Sequence, residues 1–94
     1  MNDLLNHIEA IPKIVERVKK CLTYPEIVYK ITYKDHNGVM IDREVLFLVD
    51  TLRYGTNEYY TEPGWLVKAI DREPPVIREF SVTDISNIVP VDNE

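Results

Sequence analysis

The chain has 94 residues, 45% hydrophobic and 29% charged, which suits one small domain and falls short of the roughly 200 that two would need. Eleven Lys and Arg against sixteen Asp and Glu leave a net charge of −5, which argues against sequence-independent gripping of duplex phosphates but leaves a local basic patch open. A single cysteine, Cys21, excludes an intrachain disulfide; with no charged-then-apolar leader and no apolar run near the ~20 residues of a membrane span, a cytoplasmic protein is expected.

Before Tyr24, the apolar residues Leu4, Ile8, Ile11, Val15, Val18 and Leu22 recur every three or four positions, the seam of an amphipathic helix that Asp3 could start. Pro12 lacks an amide proton and clashes with the preceding turn, so two in-line segments are expected, roughly 3–10 and 12–22. Glu9, Lys13, Glu16, Arg17, Lys19 and Lys20 form the opposite, solvated face. Packing of the seam on the chain's own strands is the plain reading. A barrel this small covers only part of so long a stripe, so a homodimer through the N-terminal helical segment is expected, unless the break at Pro12 lets both halves fold back on one barrel.

After Pro25 the period drops to two, with Ile27, Tyr29, Ile31 and Tyr33 alternating with Val28, Lys30, Thr32 and Lys34 as in a half-buried strand. Asp35-His36-Asn37-Gly38 tolerates positive φ and turns the chain into a second strand, about Val39 to Leu48. A third, Val49 to Tyr54, ends at Gly55. A loop rich in tyrosine and acid then runs to Gly64. Trp65 to Ile70, Val76 to Phe80 and Ile85 to Val89 complete the strands, with a turn at Arg72 to Pro75 and one tight helical turn at Ser81 to Asp84.

A helix and five or six short strands cannot bury a flat sheet's apolar face, and they lack the repeated helices of a parallel α/β sheet. The expected fold is therefore mainly β (α+β): an N-terminal helical segment, 1–24, followed by a small closed β-barrel, 25–94, whose open end the helix caps.

Gly38, Gly55 and Gly64 lie too far apart for a phosphate-cradling loop. His7, His36 and Cys21 are scattered, so no metal site and no cofactor is expected, and Cys21 beside the seam reads as a small buried residue. Glu58, Glu62 and Asp71 flank the aromatic loop, but sixteen acids in so short a chain make neighbouring carboxylates common by accident. Nothing activates a nucleophile, so no catalytic residue is expected.

The informative constellation mixes aromatic and basic residues: Arg53, Tyr54, Tyr59, Tyr60, Trp65, Lys68, Arg78 and Phe80. Aromatic faces stack on bases while guanidinium groups pair with phosphate oxygens. Phe80, alternating with Val82, belongs to the core. Trp65, entering a strand after Pro63-Gly64, is open to either role. An arginine between Ile77 and Phe80 needs a partner, and for Arg78 that is Asp71, Asp84 or a ligand anion.

The pieces ITYKDHNG (31–38), DREV (42–45), LRYGTNEYYTEPGWLVKAID (52–71), IREFSVTDI (77–85) and VP (89–90) together resemble the WYL-domain family. They look most like its short stand-alone members in phages and prophages. The resemblance covers about two-thirds of the chain. It implies an SH3-like or Sm-like barrel and a ligand-sensing face that binds nucleotides or single-stranded nucleic acid. Trp65 stands at the family's central tyrosine, Leu66 at its leucine and Arg78 at the arginine of the late strand. GWLV replaces the WYLV of the namesake motif, and the residues before the barrel are too few for a winged DNA-binding domain.

The reading that follows is a small non-enzymatic phage or prophage module recognising a nucleotide-like anion or a short single strand. Tyr54 and Trp65 would stack, and Arg78 and Lys68 would meet phosphate. From a different class comes a protein-binding inhibitor of a host enzyme or defence factor, using the acidic surface and the aromatic loop.

Overall fold

The computed structural model describes residues 11–91. The expected first helical segment, with Asp3, Leu4, His7 and Ile8, lies outside the described residues. The second is α1 (Lys13–Leu22), and Pro12 is its N-cap. Proline thus begins this helix, where its missing amide proton costs nothing because the first amides have no partner within the helix. Val15 and Val18 are 0% exposed and Cys21 is buried, with Ile11, Ile14 and Leu22 packed beside them. Burial pushes the Cys21 thiol up. It also pushes the Tyr29 hydroxyl, hydrogen-bonded to Cys21, to about 12. One member of the expected solvated face departs from it: Arg17 Nη2 donates to the Ile88 carbonyl at 2.7 Å, tying the helix to the last strand.

Six antiparallel strands follow: β1 (Tyr29–Lys34), β2 (Met40–Phe47), β3 (Arg53–Gly55), β4 (Gly64–Arg72), β5 (Pro75–Ser81) and β6 (Ile85–Pro90). Between β5 and β6 the 3-10 turn Val82–Asp84 stands where a helical turn was expected. In the β1–β2 hairpin Gly38 takes φ +83°, and Asp35 Oδ1 accepts from the Asn37 and Val39 amides, both at 2.9 Å. A short polar side chain standing in for backbone is what this turn chemistry supplies.

The pairing path runs β6–β1–β2–β4, and β4 is the hub. Phe47 and Arg78 both pair with Ala69, and Arg53 and Ser81 both with Leu66, so β2 and β3 share one edge of β4 while β5 takes the other. The third strand is shorter than the expected Val49 to Tyr54. Asp50 turns out at φ 64°. The Thr51 hydroxyl then bridges the gap in the ladder, donating to Leu48 O at 2.7 Å and accepting from Lys68 N at 3.0 Å.

The closed barrel is corrected as well. The sheet is open, because no ladder joins β5 to β6 among the described residues. Side chains fill that seam instead, with Tyr33 and Phe80 in edge-to-face contact at 5.0 Å. Tyr29, Ile31 and Tyr33 of β1, Val45 and Phe47 of β2, and Val67 and Ala69 of β4 alternate onto one face and form the core with the helix. Ile85 and Ile88 both reach it although three residues apart, because a register shift in the β1–β6 ladder re-phases β6.

Phe47, 2% exposed, should cost about 3–5 kcal/mol when changed to Ala. Ile77, 58% exposed, should change stability by no more than about 0.5 kcal/mol on the same substitution. Urea unfolding of the two variants checks this assignment of core and surface.

Candidate functional site

The alternation that builds the core continues past its apolar part. On β4, Asp71 follows Val67 and Ala69 on the core face and is 1% exposed. Arg78 of β5 sits opposite Ala69. Arg43 of β2 is two residues from Val45, which sits opposite Asp71. Both arginines converge on one carboxylate oxygen: Arg78 Nε donates to Asp71 Oδ2 at 3.0 Å, and Arg43 Nε lies 3.5 Å from the same atom. The other oxygen accepts from the Glu73 amide at 3.1 Å, and Arg43 Nη1 reaches the Glu73 carbonyl at 3.3 Å. A buried carboxylate without partners is untenable, and here two cations and a backbone amide provide them. Of the partners open to Arg78, Asp71 is the one it takes. Among the described residues the two Nη groups of Arg78 make no hydrogen bond, so the fork that suits an oxyanion is left unused.

Arg43 of β2 and Arg78 of β5 both line a cleft of about 740 Å³ between β5 and the β1–β2 hairpin. Tyr33, Ile41 and Phe80 also line it, Tyr59 and Tyr60 come from the β3–β4 loop, and Asp35, Glu58 and Glu79 supply carboxylates. The volume is within the roughly 300–1,000 Å³ usual for small-ligand sites. The loop is held there by two residues. Asn57 Oδ1 accepts from the amides of Tyr59 and Tyr60 at 2.8 and 2.7 Å, while its Nδ2 donates to Glu79 Oε1 at 2.9 Å. Glu79 also receives Arg53 through Nε and Nη2, each at 3.0 Å. Arg53 chiefly, with Asn57, holds the Glu79 carboxyl below its ordinary value of 4.5. Burial raises the Tyr60 phenol, with Asp84, Tyr33 and Asp35 adding to it. At the rim, the rings of Tyr59 and His36 lie 5.5 Å apart.

The four residues expected to form the site do not converge. Tyr54 and Trp65 are directly paired across β3 and β4, with rings 5.3 Å apart and nearly perpendicular. Neither lines the cleft: Trp65 packs on the core, and Tyr54 is 60% exposed. Lys68 is an odd number of residues from both Trp65 and Asp71 on β4, hence on the opposite face, where it pairs with Glu79. Only Arg78 of the four lines the cleft. Arg43 and Asn57 are the site residues that sequence reasoning missed. The signal for Arg43 was present, because it interrupts Ile41, Val45 and Phe47 on a core-facing phase as Arg78 interrupts Val76 and Phe80. Asn57 carried none, its role depending on how the loop returns to β5.

Among the described residues no three His, Cys, Asp or Glu side chains gather as metal ligands. No helix there is long and apolar enough to cross a membrane. In comparisons with known proteins the chain matches no family model, no curated protein and no solved structure.

Removing Asp71 strands two arginines, so Asp71→Ala should destabilise by about 3–5 kcal/mol. Arg78→Ala leaves Asp71 with Arg43 and the Glu73 amide and should cost about 1–2 kcal/mol, since Arg78 is 42% exposed. Equal losses in urea would contradict the shared arrangement. A second expectation concerns acid. Because the folded Glu79 carboxyl lies below 4.5, its contribution is complete above that value and is lost as pH falls through the lowered one. Glu79→Gln should therefore flatten the acid limb of a melting-temperature profile and leave the alkaline limb unchanged.

Proposed function

We propose that this chain is a small non-enzymatic binding module whose cleft takes a nucleotide-like anion, free or within a short single strand. One observation carries the reading: two arginines paired with the buried Asp71 line a cleft with the two loop tyrosines, and the outer nitrogens of Arg78 are unused. Arg78 and Arg43 meet the anionic group; Tyr59 and Tyr60 give flat surfaces to a base. The strand order β6–β1–β2–β4–β5, with a 3-10 turn before β6, supports an SH3-like or Sm-like barrel left open at one seam. The resemblance to the WYL family, and with it a phage or prophage source and a cytoplasmic setting, belongs to the same reading through Arg78. A homodimer would need a surface other than Val15 and Val18, which the chain's own core already covers.

Calorimetric titration and thermal melting with nucleotides, cyclic dinucleotides and short oligonucleotides test the reading. A ligand at a hundred times its Kd should add about 2.7 kcal/mol of stability. Absence of heat and of any melting shift up to about millimolar ligand, an affinity worth only ~4 kcal/mol, would overturn it. The protein-binding inhibitor reading draws on Tyr54 and Tyr59, 60% and 62% exposed. Recovery of a stoichiometric host partner by a chain that binds no nucleotide would favour it instead.

A further inference from the structure

We infer that the cleft is a one-phosphate site, selecting a nucleoside monophosphate over polyphosphates and over strands; this rests on the nucleotide reading above and narrows it. The argument is electrostatic. A strand or polyphosphate places successive charges several ångströms apart, and each needs its own cation. The lysine and arginine side chains that line this cleft are Arg43 and Arg78, a single locus. Arg43 and Arg78 share Asp71, so the three groups together offer about one net positive charge. Arg53 is committed to Glu79 through two hydrogen bonds and gives a third to the Thr56 carbonyl. Lys68 does not line the cleft, and Lys30 and Arg72 border a separate groove in which Asp42, Glu44 and Glu73 offset their charge.

The rest of the charge lining the cleft is acidic. Asp35 and Glu58 line it together with Glu79. Asp35 Oδ1 is occupied by the Asn37 and Val39 amides, while Oδ2 is left to accept from a ligand. A second phosphate entering the cleft would meet like charge, whereas sugar hydroxyls and amino groups of a base would find acceptors. The ligand these walls suit combines one anionic group, an aromatic body and hydrogen-bond donors. A nucleoside monophosphate has all three.

The test is calorimetric titration of the intact chain with adenosine, AMP, ATP and a tetra-adenylate, repeated at several salt concentrations. AMP should bind about tenfold or more tightly than adenosine, the worth of a hydrogen bond between charged groups. ATP and the tetra-adenylate should bind more weakly than AMP. The logarithm of AMP affinity should fall against the logarithm of salt with a slope of about one, as for a single phosphate contact. Arg78→Gln should reduce AMP binding to the adenosine level, and Lys68→Gln should leave it unchanged. ATP or tetra-adenylate binding as tightly as AMP, or a slope of several, would overturn the one-phosphate inference while leaving the nucleotide reading intact. AMP and adenosine binding equally would also overturn it. If none of the four binds, both fall. The wild-type ligand series decides the matter even if Arg78→Gln does not fold.

Discussion

A carboxylate that is 1% exposed constrains this molecule more than any other group. Asp71 sits where the core-facing phase of β4 would ordinarily place another apolar side chain, and burying it alone would be prohibitive. The fold supplies two arginines from two different strands, each interrupting its own apolar alternation. The strands adjacent to β4 are thus bound together by charge at one end and by Phe47, Val67 and Phe80 further along. That arrangement also fixes two guanidinium groups that would otherwise sample many rotamers, so a ligand meeting them has less ordering to impose.

The second determinant is the open seam. β5 and β6 are joined by a 3-10 turn of three residues and do not pair. A cleft forms where β5 stands apart from the β1–β2 hairpin, and the β3–β4 loop provides its tyrosines. Glu79 connects the parts: on the outer face of β5 it holds Arg53 of β3 and Asn57 of the loop. Arg78, its neighbour, faces the other way toward Asp71. Consecutive residues of one strand thereby fix the loop and present the cation, a direct use of the two-residue strand period.

Much of the architecture could be read from the chain. The alternation of Tyr29, Ile31 and Tyr33, the Asp35–Gly38 turn and the helical turn before Ile85 depend on local chemistry, and each lies where expected. Closure did not follow, because pairing of β5 with β6 depends on how the turn aims β6, a long-range matter. The shortening of the third strand rests on Asp50 and on a threonine hydroxyl taking a ladder position, which no periodicity reveals. For the site, Arg78 and its partner Asp71 were legible as an apolar-phase charge needing a counter-charge. The same logic, applied to β2, would have found Arg43, which the sequence reading passed over, and strand parity alone separates Lys68 from Trp65. What parity cannot supply is register, and register is what sets Tyr54 against Trp65 and both away from the cleft.

The central claim is that the anion meets the arginine pair held by Asp71. Its most direct measurement follows the arginine Nε–Hε signals by nuclear magnetic resonance while AMP is added. The account predicts that the signals of Arg43 and Arg78 move together and saturate, while those of Arg53, locked to Glu79, and Arg17, locked to the Ile88 carbonyl, stay in place. Saturable movement of Arg53 or Arg17 with Arg78 unmoved would contradict it.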